Sequence, residues 1–319
     1  MLKKSISIPR EAIIGSISGA LIGIFYATSR GTFLTPGVIQ TMLTSAPELG
    51  IIALGVTLLM IAGEFDLSVG SCSALAALLA ISCFQWGWSP YVALVLALGA
   101  GAVMGLVNGV ISVKGGIPSF ITTLGSMLAW RGLVYVVTMG RVINFNVEKQ
   151  HPLFYTLLVG NVTVFPAHFF WFFGLMVLAF LFLNRHRFGN HIFATGGNKE
   201  AARAMGINVD MVKIACFILV GILAALAGVM RATRIRGFYA QQGDGMELMA
   251  IAAAVIGGTS LFGGAGTVIG TFFGTLVITF LEYGLIVSRV SGYWYRVILG
   301  SLVVLVVLVD RLWMVRRRS

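Results

Sequence analysis

The sequence predicts an all-α polytopic membrane protein, with about ten transmembrane helices in one bundle. Three observations carry that prediction. Of 319 residues, 58% are hydrophobic and only 10% are charged, against the roughly 25% charged residues of a soluble domain. Apolar segments approaching the roughly 20 residues that cross a bilayer recur along the whole length. The polar stretches between them are too short for a soluble domain, so residues 1–319 read as one transmembrane unit.

The first segment, residues 12–29, follows Lys3, Lys4 and Arg10. It is long for the apolar core of a signal peptide, and Ala27-Thr28-Ser29-Arg30 is a poor cleavage site. It therefore reads as a retained span with a cytoplasmic N-terminus. The second segment, 38–62, contains Pro47 and Glu48, which predict a break near its outer end. The third, 68–84, ends at Trp86 and Trp88, which suit a membrane interface. The fourth, 91–113, leads through Lys114-Gly115-Gly116 into the fifth, 117–139. A polar, irregular external loop, 140–168, carries Pro152 and Pro166. The sixth span is 169–183, the seventh 212–230, the short eighth 247–262, the ninth 267–287 and the tenth 293–309. Ten spans place both termini in the cytoplasm, and most Lys and Arg then fall inside. Arg231, Arg234 and Arg236 run against that rule: they snorkel to headgroups or present charge to an external partner.

The cytoplasmic loop 184–211 contains a polar run from Asn198 to Ile207. Asn198 suits an N-cap, Glu200 the positive end of a helix, and Gly206 a helix stop. The run reads either as a helix of about two turns lying in the cytoplasm or as a linking turn. Glycines four apart, at 101/105/109 and 266/270/274, favour close helix packing over a solute-binding role.

Between the second and third segments stands Gly63-Glu64-Phe65-Asp66-Leu67-Ser68-Val69-Gly70. This acidic break is either a surface loop or unwound backbone within the bilayer, tolerated there only where protein or a water-filled path surrounds it. Asp66 can cap the third span by accepting from Ser68 or Val69, with Gly63 and Gly70 supplying unusual backbone angles.

Several chemistries are absent. The net charge of +11 does not mark a nucleic-acid binder, because the basic residues flank apolar spans instead of forming a stripe. Cys72, Cys83 and Cys216 lack paired spacing, and the four histidines, in polar loops, lack metal-ligand spacing, so no disulfide framework, metal or cofactor is expected. No phosphate-binding G-x-x-x-x-G-K-[ST] and no G-x-S-x-G elbow occur, so the chain reads as non-catalytic. Uphill transport would draw on a partner chain or on an ion gradient. The carboxylates that would serve an ion-coupled carrier are Glu64, Asp66, Glu247 and Glu282.

Four ordered blocks then become recognisable. Gly63 to Gly70 resembles the G-x-x-D-L-S-V-G signature of permease subunits of bacterial sugar ABC importers, the ribose/xylose/galactoside type. Ile117-Pro118-Ser119-Phe120-Ile121-Thr122-Thr123-Leu124-Gly125 resembles that family's I-P-x-F-I-x-T-L-G, followed by Arg131-Gly132. Phe188-Gly189-Asn190 through Ala194-Thr195-Gly196-Gly197-Asn198-Lys199-Glu200 to Gly206-Ile207 resembles its cytoplasmic loop. Ala250 to Leu261 and Gly264 to Thr271 resemble its late signature. The sequence departs from the family at Met249, where an Asp is frequent, at Phe65, where Ile is frequent, and near Ala240, where a proline is common.

The resemblance implies an ATP-driven importer permease of the bacterial inner membrane for a monosaccharide or related polyol. It implies a separate ATPase subunit, an extracytoplasmic solute-binding protein and a second permease copy or related permease. It makes Asn198, Lys199, Glu200, Ala201, Arg203, Gly206 and Ile207 a coupling helix that seats on the ATPase. Asn108, Phe120, Thr122, Thr123 and Ser126 are candidates to line the path, and Gly63, Glu64, Asp66, Ser68 and Gly70 form a structural elbow. The alternatives are an ABC permease for a nucleoside, branched-chain amino acid or furanosyl signal, and an ion-coupled carrier acting alone.

Overall fold

The computed structural model describes residues 10–162 and 165–291, and beyond them 293–295, 297, 298, 300, 301, 304 and 308. Lys3, Lys4, the basic C-terminal residues and eight of the 17 residues of the expected tenth span lie outside the described residues.

The chain is a helical bundle. It begins with α1 (Arg10–Thr28), α2 (Pro36–Ile61), α3 (Val69–Gln85), α4 (Pro90–Lys114) and α5 (Ser119–Thr138). The loop that follows is more regular than its prolines predict. It contains the two-residue strand β1 (Ile143–Asn144), the short helices α6 (Val147–Gln150) and α7 (Pro152–Leu158), and the ribbon of β2 (Asn161–Val162) and β3 (Phe165–Pro166). Next come α8 (Ala167–Arg185), α9 (Arg187–Gly197), α10 (Lys199–Ala204) and α11 (Val209–Ile235), then β4 (Gly237–Phe238), α12 (Met246–Ile256) and α13 (Val268–Val287). β1 pairs antiparallel with β4, with Ile143 opposite Phe238.

Among the described residues, six helices (α2, α4, α5, α8, α11 and α13) are long and apolar enough to cross a membrane. Gly15–Thr28, Val69–Gln85 and Met246–Ile256 are shorter apolar helices at the expected first, third and eighth positions. α2 does not break at Pro47: it runs unbroken from Pro36 to Ile61, with Pro47 buried inside it. Hydroxyls hold the turns before the proline, Thr41 donating to the Gly37 carbonyl, Thr44 to that of Gln40 and Ser45 to that of Thr41. A proline is tolerated inside an apolar helix that neighbouring helices enclose.

α2 and α11 form the centre. Ile51, Ile52, Leu54, Leu59 and Met60 of α2, with Phe217 and Val220 of α11, are fully enclosed. The glycine spacing read as packing does pack. A side chain on Gly101, Gly105 or Gly109 would strike α11 at Gly221, Phe217 or Ile214, and one on Gly270 or Gly274 would strike Gly257 or Ala253. Small residues here let backbones touch, which maximises dispersion contact where lipid offers no hydrophobic drive.

The two ends of the bundle differ. One gathers the end of α2, the α4–α5 turn, α9, α10 and the loop after α12, joined by Lys114–Asp210 and Glu64–Lys213 ion pairs and by the Gly264 N–H on the Ile61 carbonyl. The other gathers β1, β4, α6 and α7, where Arg236 pairs with Glu148 and sits over the Tyr155 ring.

Candidate functional site

The segment from Gly63 to Gly70 starts half-buried, at Gly63, Glu64 and Phe65, and turns into the bundle from Asp66 onward. Asp66 is 2% exposed, and Leu67, Ser68 and Val69 are also buried. Gly63 turns the chain out of α2 at φ +83°, a left-handed conformation that disfavours any other residue. The chain then folds inward. Ser68 lies beside Asn108, six residues before the end of α4, which is about 9 Å along that helix. Unwound backbone inside a bundle needs partners for its N–H groups, and they are present. Phe65 N–H donates to Ser119 Oγ at 3.2 Å and Leu67 N–H to Thr123 Oγ1 at 3.1 Å. Ser68 N–H and Ser68 Oγ both donate to Asp66 Oδ1, at 2.7 and 2.6 Å. Asn108 Nδ2 donates to Ser68 Oγ at 2.8 Å and to Asp66 Oδ2 at 3.3 Å.

Two residues of this segment bear on the expected elbow, and the N-cap position of α3 is Ser68, with no side-chain cap bond. Asp66 does accept from Ser68 N–H, in a turn that sets up α3 from Val69 onward. Gly70 does not supply an unusual backbone angle. It is helical, and its need is space, because the Gly243 carbonyl and the Glu247 carboxylate both lie against it. Glu247 sits in the first turn of α12, so α3 and α12 begin side by side. Glu64 pairs with Lys213 of α11 at 2.5 Å.

The loop run adopts the helical alternative. Asn198 Oδ1 accepts from the N–H groups of Glu200 and Ala201, at 3.1 and 3.0 Å, and so caps α10. Lys199, Glu200 and Ala201 form its exposed first turn, and Arg203 reaches Asp210 at 2.9 Å. Gly206 ends the element at φ +82°, and Ile207 N–H returns to the Ala202 carbonyl. The sequence reading missed α9, an 11-residue helix just before it, capped by His186 through Phe188 N–H. Its Gly196 packs on the Ile61 carbonyl and the Gly264 amide, placing this loop directly against the root of the elbow.

The five residues proposed to line a path do not share one surface. Asn108 and Thr123 are buried and bonded to the elbow. Thr122 is buried without a hydrogen-bond partner for its hydroxyl, and the Ser126 hydroxyl donates to the Thr122 carbonyl of its own helix. Phe120 alone is well exposed, on the outward face of α5 that also carries Leu128 and Val136.

One polar centre was missed. Glu48 lies inside α2, 2% exposed, with Arg234 Nε at 2.6 Å and Arg234 Nη2 at 3.1 Å from its two oxygens. Arg231 Nη1 is 3.9 Å away and His168 Nε2 3.7 Å. His168 and His191 are in helices, α8 and α9, and not in polar loops. The arginines that ran against the inside-positive pattern are thus drawn into the chain, with Arg236 on Glu148. The signal in the sequence is the polar stripe Gln40, Thr41, Thr44 and Glu48 at helical spacing. Gln40, Thr41 and Thr44 face an open cavity of about 640 Å³ with Tyr155, Arg234 and Arg236. Among the described residues no three His, Cys, Asp or Glu side chains form a metal-holding group.

The sequence profile of a family described as branched-chain amino acid transport system / permease component matches residues 38–307. The chain is 38% identical to the ribose import permease protein RbsC of Escherichia coli (strain K12) over 285 residues, which cover 89% of this chain and 88% of that protein. It is 34% identical to the autoinducer 2 import system permease protein LsrC of Photorhabdus luminescens, over 85% of this chain and 81% of the relative. It is 31% identical to the xylose/arabinose import permease protein XylH of Sulfolobus acidocaldarius, over 91% and 82%. No solved structure matches the chain.

Proposed function

We propose a function from one premise, that this chain belongs to the family of transport-system permease components whose profile spans residues 38–307. It is the transmembrane permease subunit of an ATP-driven importer of the inner membrane and carries a monosaccharide or related polyol. The observation that carries the sugar assignment is the 38% identity to a ribose import permease along almost all of both chains. The xylose/arabinose and autoinducer 2 permeases, equally collinear, extend the same chemistry of small hydroxylated solutes. The family's branched-chain amino acid description covers the wider group and does not outweigh these relatives.

In this reading ATP is hydrolysed by a separate subunit and solute arrives on an extracytoplasmic binding protein. A second permease completes the path. The capped helix α10, with Lys199, Glu200 and Arg203 exposed, seats on the ATPase. Its support is geometric: a short rigid helix with both ends fixed, by Asn198 at one and Gly206 at the other, can transmit a push that a floppy turn absorbs. The Lys114–Asp210–Arg203 ion pairs tie that helix to α4 and α11.

The test is uptake of labelled ribose, xylose and arabinose by proteoliposomes holding the permease, its ATPase and its binding protein. Transport is expected to require ATP and both partners. Glu200→Arg, which puts a positive charge at the positive end of α10, and Gly206→Pro, which cannot adopt φ +82°, are expected to leave the protein in the membrane but to separate ATP hydrolysis from uptake. Uptake without the ATPase that collapses with an ionophore overturns this reading in favour of an ion-coupled carrier.

A further inference from the structure

We propose that the elbow is the relay between the cytoplasmic loop helices and α5, with Glu64 and Lys213 as its input and Ser119 and Thr123 as its output; the inference rests on the permease reading above.

Three features of the bundle lead there. At the input, α9 presses Gly196 onto the Ile61 carbonyl with no side chain between them, and Gly263 and Gly264 fill the same junction from the loop after α12. Any displacement of α9 and α10 therefore meets the end of α2 backbone to backbone. Lys213, in the second turn of α11 just beyond α10, holds Glu64 at 2.5 Å, with both side chains mostly shielded from solvent. A short shielded ion pair adds a directional link to that junction.

The output is the set of hydrogen bonds from the elbow to α5. The N–H groups of Phe65 and Leu67 are two residues apart, and the hydroxyls of Ser119 and Thr123 that receive them are one helical turn apart. The unwound strand thus lies along the first turn of α5 and grips it at two points.

The element gripped in this way is, within this chain, the least enclosed of the candidate spans. Only 17% of its apolar stretch is buried within the chain, against 89% in α2 and 61% in α11, and it packs chiefly on α3 and α4. A helix with little of its surface committed moves for little cost. Farther along α5, Arg131 donates to the Ala240 and Gln242 carbonyls and pairs with Asp244, so the elbow bonds steer the Ser119 end of the helix about that anchor. Both hydroxyls already donate or can donate elsewhere, as Thr123 does to the Ser119 carbonyl at 2.7 Å, so they accept the elbow amides without giving up their own bonds. Ser119, Thr123, Glu64 and Lys213 act as positioning residues for transport and need not touch the solute.

The experiment uses the full permease reconstituted with its ATPase and binding protein, and reads ATP hydrolysed per sugar imported. Glu64→Lys and Lys213→Glu are each expected to raise that ratio about 3- to 30-fold. The exchanged pair, carrying both substitutions, is expected to return it close to the wild-type value. Spin labels at Leu128→Cys on α5 and Met205→Cys beside α10 report whether α5 follows the loop helix when ATP is trapped. In the Ser119→Ala, Thr123→Val variant the α10 label is expected to move and the α5 label to stay. Should that variant fail to insert, the charge exchange decides by itself. Single charge variants with a wild-type ratio, an exchanged pair without rescue, or an α5 label that still follows α10 in the hydroxyl-deleted protein each overturn the relay. Wild-type protein that imports no sugar overturns the functional reading instead, so the two failures are distinct.

Discussion

The Glu48–Arg234 pair makes a quantitative and asymmetric prediction. Glu48 is 2% exposed, whereas the Arg234 side chain is 28% exposed and borders the open cavity beside Tyr155. Removing one partner of a buried pair costs about 3–5 kcal/mol when the other is left as an uncompensated charge. Arg234→Met strands the enclosed carboxylate, relieved only in part by Arg231 at 3.9 Å and His168 at 3.7 Å, so a loss of about 2–4 kcal/mol is expected. Glu48→Gln strands an arginine that can turn to the cavity, and the glutamine oxygen still accepts one of its N–H bonds, so about 1–2 kcal/mol is expected. The double variant then holds no buried charge at position 48. It should be more stable than Arg234→Met alone, and Glu48→Gln should act as its suppressor. Thermal unfolding followed with a thiol-reactive fluorophore suits this chain, since Cys72, Cys83 and Cys216 are all free and buried. Equal costs for the two single variants, or a double variant whose cost is their sum, would refute the asymmetry and the pairing behind it.

The remaining expectations address packing and capping. Gly221→Ala drives a methyl group into the Gly101 carbonyl at the α4–α11 contact, with an expected loss of about 1–3 kcal/mol in the same melting assay; an unchanged melting temperature would mean that the two helices are not in backbone contact. Asn198→Ala removes the cap of α10 and should cost that helix about 1 kcal/mol, seen as faster hydrogen exchange at the Glu200 and Ala201 amides with little change in global melting.

Most of the bundle could be read from composition and span length because lipid leaves a chain few options: each apolar segment must close its own backbone bonds as a helix. The capped loop helix was readable for a local reason, since Asn198, Glu200 and Gly206 each act within a turn of their own position. What escaped was whatever depends on a distant partner. Pro47 and Glu48 read as a break because nothing near them in sequence offsets a buried charge. In the fold, Arg234, 186 residues away, supplies the counter-charge. Helix α9 escaped because its first residues are polar and its anchor, the Ile61 carbonyl, belongs to another helix. That Asn108 and Thr123 bond to the elbow while Phe120 faces outward was not legible, because a period of 3.6 tells which residues share a face and not which face meets a neighbour.

The same distinction explains why the acidic elbow carried two meanings in the sequence and one in the structure. Glycine, aspartate and serine in a short run satisfy a surface turn and a buried unwound segment equally well, since Asp66 binds Ser68 in either case. The deciding groups are the acceptors for Phe65 and Leu67 N–H, and they come from Ser119 and Thr123 in the separate Ile117 to Gly125 block. Two sequence blocks about 50 residues apart are thus one structural unit, since the first exposes amides and the second supplies hydroxyls at helical spacing to receive them. Asn108 adds the third side of that unit by donating to both Asp66 and Ser68. A substitution in any one of these places leaves buried polar groups in the other two, at about 1–3 kcal/mol each. The elbow therefore has to change as a whole or stay as a whole, which is the property required of an element that passes a displacement from one helix to another.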